Sequence, residues 1–219
     1  MKKKILFASV LLLLLSTYNI QKSSNFNSKL NIVKIEIDNN KFIDEQILKN
    51  KLSFLYETNL FLLNKKDIKL KLKEVDFIDS FEVKKIFPNK IKIKVYENIP
   101  IAIIQNKREK KFYTINGKVI DFIEIDEFNN LPLVLGDHRS FSDFYEVLKK
   151  VNFPLSEIKK FYLFESKRWD IVTKKSQTIK LPIKNYETSL QNFIDLKDQI
   201  NFGKYKIFDY RINNQIILK

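Results

Sequence analysis

Enzymatic chemistry needs nucleophiles, bases or metal ligands at workable spacing, and this sequence supplies few of them. It has no cysteine, three glycines and one histidine, His138. No second imidazole or thiol accompanies His138, so neither a zinc site nor a nucleophile–base pair can be built from recognisable motifs. The glycines form no phosphate-cradling loop. His138 reads as a surface residue just after Gly136, and Trp169 as a core anchor. No catalytic residue, metal ligand, cofactor or small-molecule substrate is expected. What remains able to do chemistry is the backbone of exposed strands, whose unpaired N–H and C=O groups a partner segment can complete.

Positioning such an edge requires folded elements, and the 219 residues, 44% hydrophobic, suffice for one large domain or two small ones. The formal net charge of +14 raises a nucleic-acid reading. Many lysines, however, alternate with apolar residues as the wet faces of strands, and no nucleic-acid partner is expected. Three lysines at 2–4 precede an apolar run that fades at Ile20. As a helix, residues 5–20 would reach about 24 Å, short of the ~30 Å hydrocarbon core, which is the length of a signal peptide. Yet no small-x-small cleavage site follows, which favours an uncleaved anchor. The lysines hold residues 1–4 in the cytoplasm in either case and send the remainder across the membrane. Residues 21–30, rich in Ser and Asn, read as a linker.

The clearest pattern lies at 81–102, FEVKKIFPNKIKIKVYENIPIA. Ile91, Ile93 and Val95 alternate with lysines, Phe81 and Val83 alternate with Glu82 and Lys84, and Pro88-Asn89 separates the runs: a β-hairpin. Pro100 cannot sit inside a central strand and marks a junction. Upstream, 32–38 alternates as a strand closed by Asn39-Asn40, Asp44 is a candidate N-cap for a helix carrying Ile47, Leu48, Leu52, Leu55 and Tyr56, and Asn64 could cap a second helix. Residues 68–73 fit both periods, since Ile68, Leu70 and Leu72 alternate with lysines while Ile68, Leu72 and Val75 share a helical face.

Beyond Pro100, 112–122 is a hairpin around Asn116-Gly117, residues that both tolerate positive φ. Leu131 to Leu135 form a short buried run, 142–151 a helix, then strands follow at 161–164, 169–173 and 178–181, with Pro182 stopping the last. A helix is expected over 186–200, and a final strand over 205–218.

These segments together resemble the bacterial cell-division family FtsQ, also called DivIB. The resemblance rests on FPNKIKIKVYENIPIA at 87–102, FYTINGKVI at 112–120, RWDI at 168–171, IKLP at 179–182 and FDYR at 208–211, in that order. It implies an α+β fold: a transmembrane anchor at 5–20, a POTRA domain of order β-α-α-β-β at 31–99, and a mostly antiparallel β domain with flanking helices at 100–219. It also implies helix over 64–75. Two positions depart from the family pattern: Gln177 replaces a usual turn glycine, and Ile212 replaces a frequent aromatic.

The function implied is that of a non-enzymatic scaffold. It would sit in the inner membrane at the septum, the bulk of it periplasmic, and join FtsL- and FtsB-type partners for septal wall synthesis. Strand addition at 205–218 would carry the binding, with Phe208, Tyr210, Arg211, Ile212, Ile216 and Leu218 as contact residues; the alternative is that this strand is internal to the sheet and these residues are core. The 81–102 hairpin is a second candidate for strand addition, with Lys90, Lys92 and Lys94 on its wet face. POTRA domains also occur in outer-membrane assembly factors that bind unfolded β strands; those carry module repeats, and no repeat is visible here.

Overall fold

The computed structural model describes residues 2–16, 29–106, 109–197, 202–212 and 215–219. The first helix, α1 (Lys2–Ser16), covers the described part of the apolar segment, and the remainder of the expected anchor lies outside the described residues. Fifteen residues at ~1.5 Å each give about 22 Å. Among the described residues no helix is long and apolar enough to cross a membrane, and the last part of the span expected over 5–20 lies outside them. Beyond it the chain folds as two compact units that meet between Glu97 and Asn98.

The first unit has the order expected from the resemblance: β1 (Lys34–Asp38), α2 (Glu45–Lys51), α3 (Lys65–Leu72), β2 (Ile78–Ile86) and β3 (Lys90–Glu97). Both caps form, with Asp44 accepting from the Gln46 N–H at 2.6 Å and Asn64 from the Lys66 N–H at 3.0 Å. The two-period segment resolves as helix: Ile68 and Leu72 are buried and Leu70 points to solvent. Its cap, and the one-turn spacing of its two buried residues, prevail over the lysine alternation. A short 3-10 stretch at Ser53–Glu57 continues the turn after α2 and buries Leu55. In the sheet, β3 is central, antiparallel to β2 and parallel to β1. Ile91, Ile93 and Val95 therefore lie fully in the core, alongside Ile35 and Ile37 of β1. Glu97, at the end of β3, accepts from the backbone N–H groups of Lys41, Phe42 and Ile43 at 2.8–3.0 Å and fixes the loop between β1 and α2.

The second unit is one nine-stranded sheet in the order β12-β11-β10-β9-β8-β7-β4-β5-β6. Its strands are β4 (Pro100–Asn106), β5 (Glu109–Thr114), β6 (Val119–Asp121), β7 (Leu133–Leu135), β8 (Ile158–Leu163), β9 (Trp169–Thr173), β10 (Thr178–Lys180), β11 (Ile207–Asp209) and β12 (Ile217–Leu218). Pro100 begins β4, the strand position where a missing N–H costs least. Two helices, α4 (Phe141–Lys150) and α5 (Tyr186–Lys197), supply Phe141, Phe144, Leu148, Leu190 and Phe193 to the core. Five strand pairings are antiparallel and three parallel, so the sheet is mixed, and its antiparallel majority is slimmer than expected. Helical crossovers explain two of the parallel pairs: α4 links β7 to β8 and α5 links β10 to β11, and a parallel return needs a connection of that length.

Turn chemistry differs in detail from the sequence reading. At 115–117 only Gly117 takes positive φ, +74°, and the Thr114 N–H donates to the Lys118 carbonyl, which makes a three-residue loop with a left-handed glycine. Gly136 is demanded twice over: its φ is +104°, and a Cβ there would stand 2.2 Å from the Leu163 carbonyl oxygen.

Candidate partner-binding edge

The six residues expected to contact a partner lie on β11, on β12 and between them. The chain does not run as one strand from 205 to 218. It ends β11 at Asp209, turns, and returns antiparallel as β12, pairing Phe208 with Leu218 and Asp209 with Ile217. The expected edge is thus corrected: β11 is flanked by β10 on one side and β12 on the other, and only β12 borders solvent.

Alternation then sorts the side chains. Phe208, 1% exposed, points inward, with its ring 5.0 Å from Phe193 and 4.7 Å from Phe202. Tyr210 is buried too, and its hydroxyl donates to Asn192 Oδ1 of α5 at 3.1 Å; burial pushes the phenol pKa well above its ordinary value. Both side chains are therefore part of the core beneath this end of the sheet. Ile212 is exposed, Ile216 and Leu218 are half-buried against the core, and Ile217 is on the solvent side. Tyr210, Ile212 and Ile216 border a polar groove of about 510 Å³ whose other wall includes Asn185, Thr188 and Asn192. The α5 contribution to this groove was not readable from the sequence, because Thr188 and Asn192 carry no signal beyond lying on the polar face of a helix.

Two Asp–Arg pairs, one at the end of β11 and one on β9 two strands further in, behave differently. Arg211 folds back on Asp209 with Nε at 2.8 Å and Nη2 at 2.6 Å, and these hydrogen bonds hold the carboxyl below its usual range. Asp170 of β9, 4% exposed, receives a single longer contact from Arg168 at 3.2 Å. There desolvation outweighs the attraction and the pKa rises. Arg211 is therefore already engaged, and a partner carboxylate would have to compete with Asp209 for it.

Gln177, standing where a turn glycine was expected, does not take the left-handed conformation. Ser176 does, with φ +60°, while Gln177 is buried and its Nε2 donates to the Tyr205 carbonyl at 3.3 Å. The β9–β10 turn is thereby tied to the chain entering β11. Trp169 lies in the core, stacked on Phe144 at 4.5 Å. His138 opens a single 3-10 turn, its ring 6.5 Å from that of Tyr113. Among the described residues no group of three or more His, Asp or Glu is placed to hold a metal ion.

The second candidate changes as well. β3, which carries Lys90, Lys92 and Lys94, is the central strand and has no free edge. Lys92 pairs with Asp38 at 2.8 Å, and Lys94 lies over the Tyr96 ring at 5.1 Å. The hairpin's open side is β2, which borders a groove of about 440 Å³ with Lys65, Lys66, Lys69 and Lys73 along its α3 wall and loop.

Fold and edge together define a POTRA unit followed by a mixed β domain whose distinctive surface is an outer strand. Comparison with known proteins agrees in both parts. The profile of the POTRA domain, FtsQ-type, matches residues 30–98, and that of the cell division protein FtsQ/DivIB C-terminal domain matches 102–211. Over 210 residues the chain is 30% identical to cell division protein FtsQ of Rickettsia bellii, covering 94% of this chain and 77% of that protein. It is 29% identical over 210 residues to cell division protein DivIB of Clostridium tetani, with 94% and 74% covered. The chain belongs to the FtsQ/DivIB family of cell-division proteins. An outer-membrane assembly factor is not favoured.

Proposed function

We propose that this protein is a membrane-anchored scaffold of the division machinery, with its N-terminus in the cytoplasm and both folded units outside it. It gathers FtsL- and FtsB-type partners at the septum by strand addition at the β11–β12 end of the large sheet. The observation that carries the reading is that both units match, in order, the two domains of a single division family. The outer position of β12 supports the mode of binding, since a sheet border is where backbone groups can accept another strand. The anchor is supported by α1, whose Ile5, Leu6, Phe7 and Val10–Leu13 are all exposed apolar residues.

A fluorescent fusion of the full chain should gather at midcell in dividing cells. Uniform envelope fluorescence would defeat the division assignment.

A further inference from the structure

We infer that the end of the first unit at which the chain arrives from α1 is a membrane-docking surface: Phe61 and Leu62 enter the interfacial layer of a bilayer containing anionic phospholipid, and Lys65 and Lys66 meet its phosphate groups. This rests on the membrane-anchored reading above and specifies what the first unit does against the bilayer that holds it. Outside α1, Leu62 (76%) and Phe61 (70%) are the most exposed large apolar side chains among the described residues. Val33 and Phe87 are exposed as well, at the same end of the unit. The Val33 N–H donates to the Asn89 carbonyl at 2.9 Å, in the β2–β3 turn that carries Phe87, and Lys85, just before that turn, reaches the Phe61 carbonyl at 3.2 Å. Single exposed apolar residues are ordinary, whereas a cluster of them marks a contact surface.

Three features select a bilayer as the occupant. The first is position. The Leu60 N–H donates to the Leu30 carbonyl at 2.8 Å and the Ile32 N–H to the Thr58 carbonyl at 3.1 Å, so the segment entering from the anchor lies directly beside the chain that leads into Phe61. Residues 17–28 separate α1 from Lys29. A chain of that length spans at most about 45 Å, which keeps the tip at high effective concentration over the membrane surface. The second is charge. Lys65 and Lys66, in the first turn of α3, are exposed and form no ion pair among the described residues. Glu57 and Asp67 flank the tip, but Lys85 and Lys90 stand at this end too, and Glu36 is already taken by Lys34 at 2.7 Å. The third is backbone satisfaction. The Phe61 and Leu62 N–H groups donate to Asn59 at 2.9 and 3.1 Å, and Lys85 Nζ donates to the Phe61 and Leu63 carbonyls at 3.2 and 3.1 Å. A tip bonded in this way leaves water without stranding those polar groups. Apolar side chains backed by lysines are the combination that holds peripheral segments at an anionic bilayer.

The absence of cysteine allows one label per molecule. The full chain carrying Leu62→Cys is labelled with the polarity-sensitive fluorophore NBD. It is reconstituted into vesicles of phosphatidylcholine alone, or of equal parts phosphatidylcholine and phosphatidylglycerol, each with a nitroxide near the top of the acyl chains. Phe61→Cys gives a second probe of the tip, and Lys41→Cys a control beyond the far end of β1, in the loop held by Glu97. In the anionic vesicles the labels at 61 and 62 should shift to the blue and be quenched by the nitroxide, and the label at 41 should not. Adding Lys65→Glu/Lys66→Glu should lower the docked-to-free ratio at least about tenfold, since each basic group near an anionic surface contributes about fivefold. Molar salt should lower it in the same direction.

Absence of quenching at 61 and 62 in anionic vesicles would overturn docking. So would equal quenching at 41, equal quenching in neutral and anionic vesicles, or a ratio unmoved by the lysine reversals. A blue shift that grows with protein concentration without quenching by the lipid would overturn the bilayer in favour of a second copy of the chain. If Leu62→Cys does not fold, the label at 61 decides alone. Failure of the chain to float with neutral vesicles would remove the anchored reading while leaving quenching in anionic vesicles to stand, so the two failures are distinguishable.

Discussion

Replacing Phe208 with alanine separates a core role from a recognition role for β11. The ring is fully enclosed, stacked on Phe202 and edge-on to Phe193, with Tyr205 6.5 Å away. Truncating an enclosed phenylalanine costs about 3–5 kcal/mol through lost transfer energy and the cavity left behind. Trp169 is the sole tryptophan and is buried in the same unit, so its fluorescence follows the unfolding of that unit alone. With a urea slope of about 1.5 kcal/mol per molar, the midpoint should fall by roughly 2–3 M. Ile212→Ala, at a side chain 51% exposed, should move it by less than about 0.5 M, as surface changes do. A Phe208→Ala midpoint within that smaller limit would refute the placement of the ring and return Phe208 to the list of partner contacts.

Gly136→Ala should lower the same midpoint by at least about 1 M, because positive φ alone costs of order 1–3 kcal/mol and the new Cβ meets the Leu163 carbonyl. Glu97→Ala removes the acceptor of three loop N–H groups, and amide exchange at Lys41, Phe42 and Ile43 should accelerate by at least about tenfold, since bonds to a charged group are worth about 1.5–3 kcal/mol each. Asp209 and Asp170 should titrate on opposite sides of the ordinary value of about 3.9. Asp209, depressed by Arg211, contributes stability that is present above that value and is lost as pH falls through its folded pKa. Asp170, raised by burial, does the reverse: the folded state holds its proton more tightly, so stability declines as pH rises from about 3.9 through the folded pKa, and Asp170→Asn should abolish that decline. Carboxyl chemical shifts followed against pH would check both directions.

Local features of the fold were legible from residue order alone. Alternation identified the strand at 90–97, Asp44 and Asn64 announced their helices, and Pro100 marked the entry to β4. Each of these depends on near neighbours: which way successive side chains point, which side chain can reach an N–H two residues on, which residue lacks an N–H to give. The 68–73 segment shows the limit, since two periods fitted and only burial of Ile68 and Leu72 against the rest of the unit decided between them. Strand partnership lies beyond that limit altogether. Nothing in Lys90–Glu97 says that β1 will lie parallel beside it and remove its free edge, and nothing in FDYR says that residues 217–218 will return to cover β11. Alternation fixes the face a residue presents but not the neighbour its backbone meets, because backbone groups are alike in every strand and pairing is chosen by the packing of distant side chains. The sequence thus determined the family and most of the elements. Tertiary structure alone decided that Phe208 and Tyr210 belong to the core, that Asn192 stands beside the groove, and that the edge carries a strand of its own.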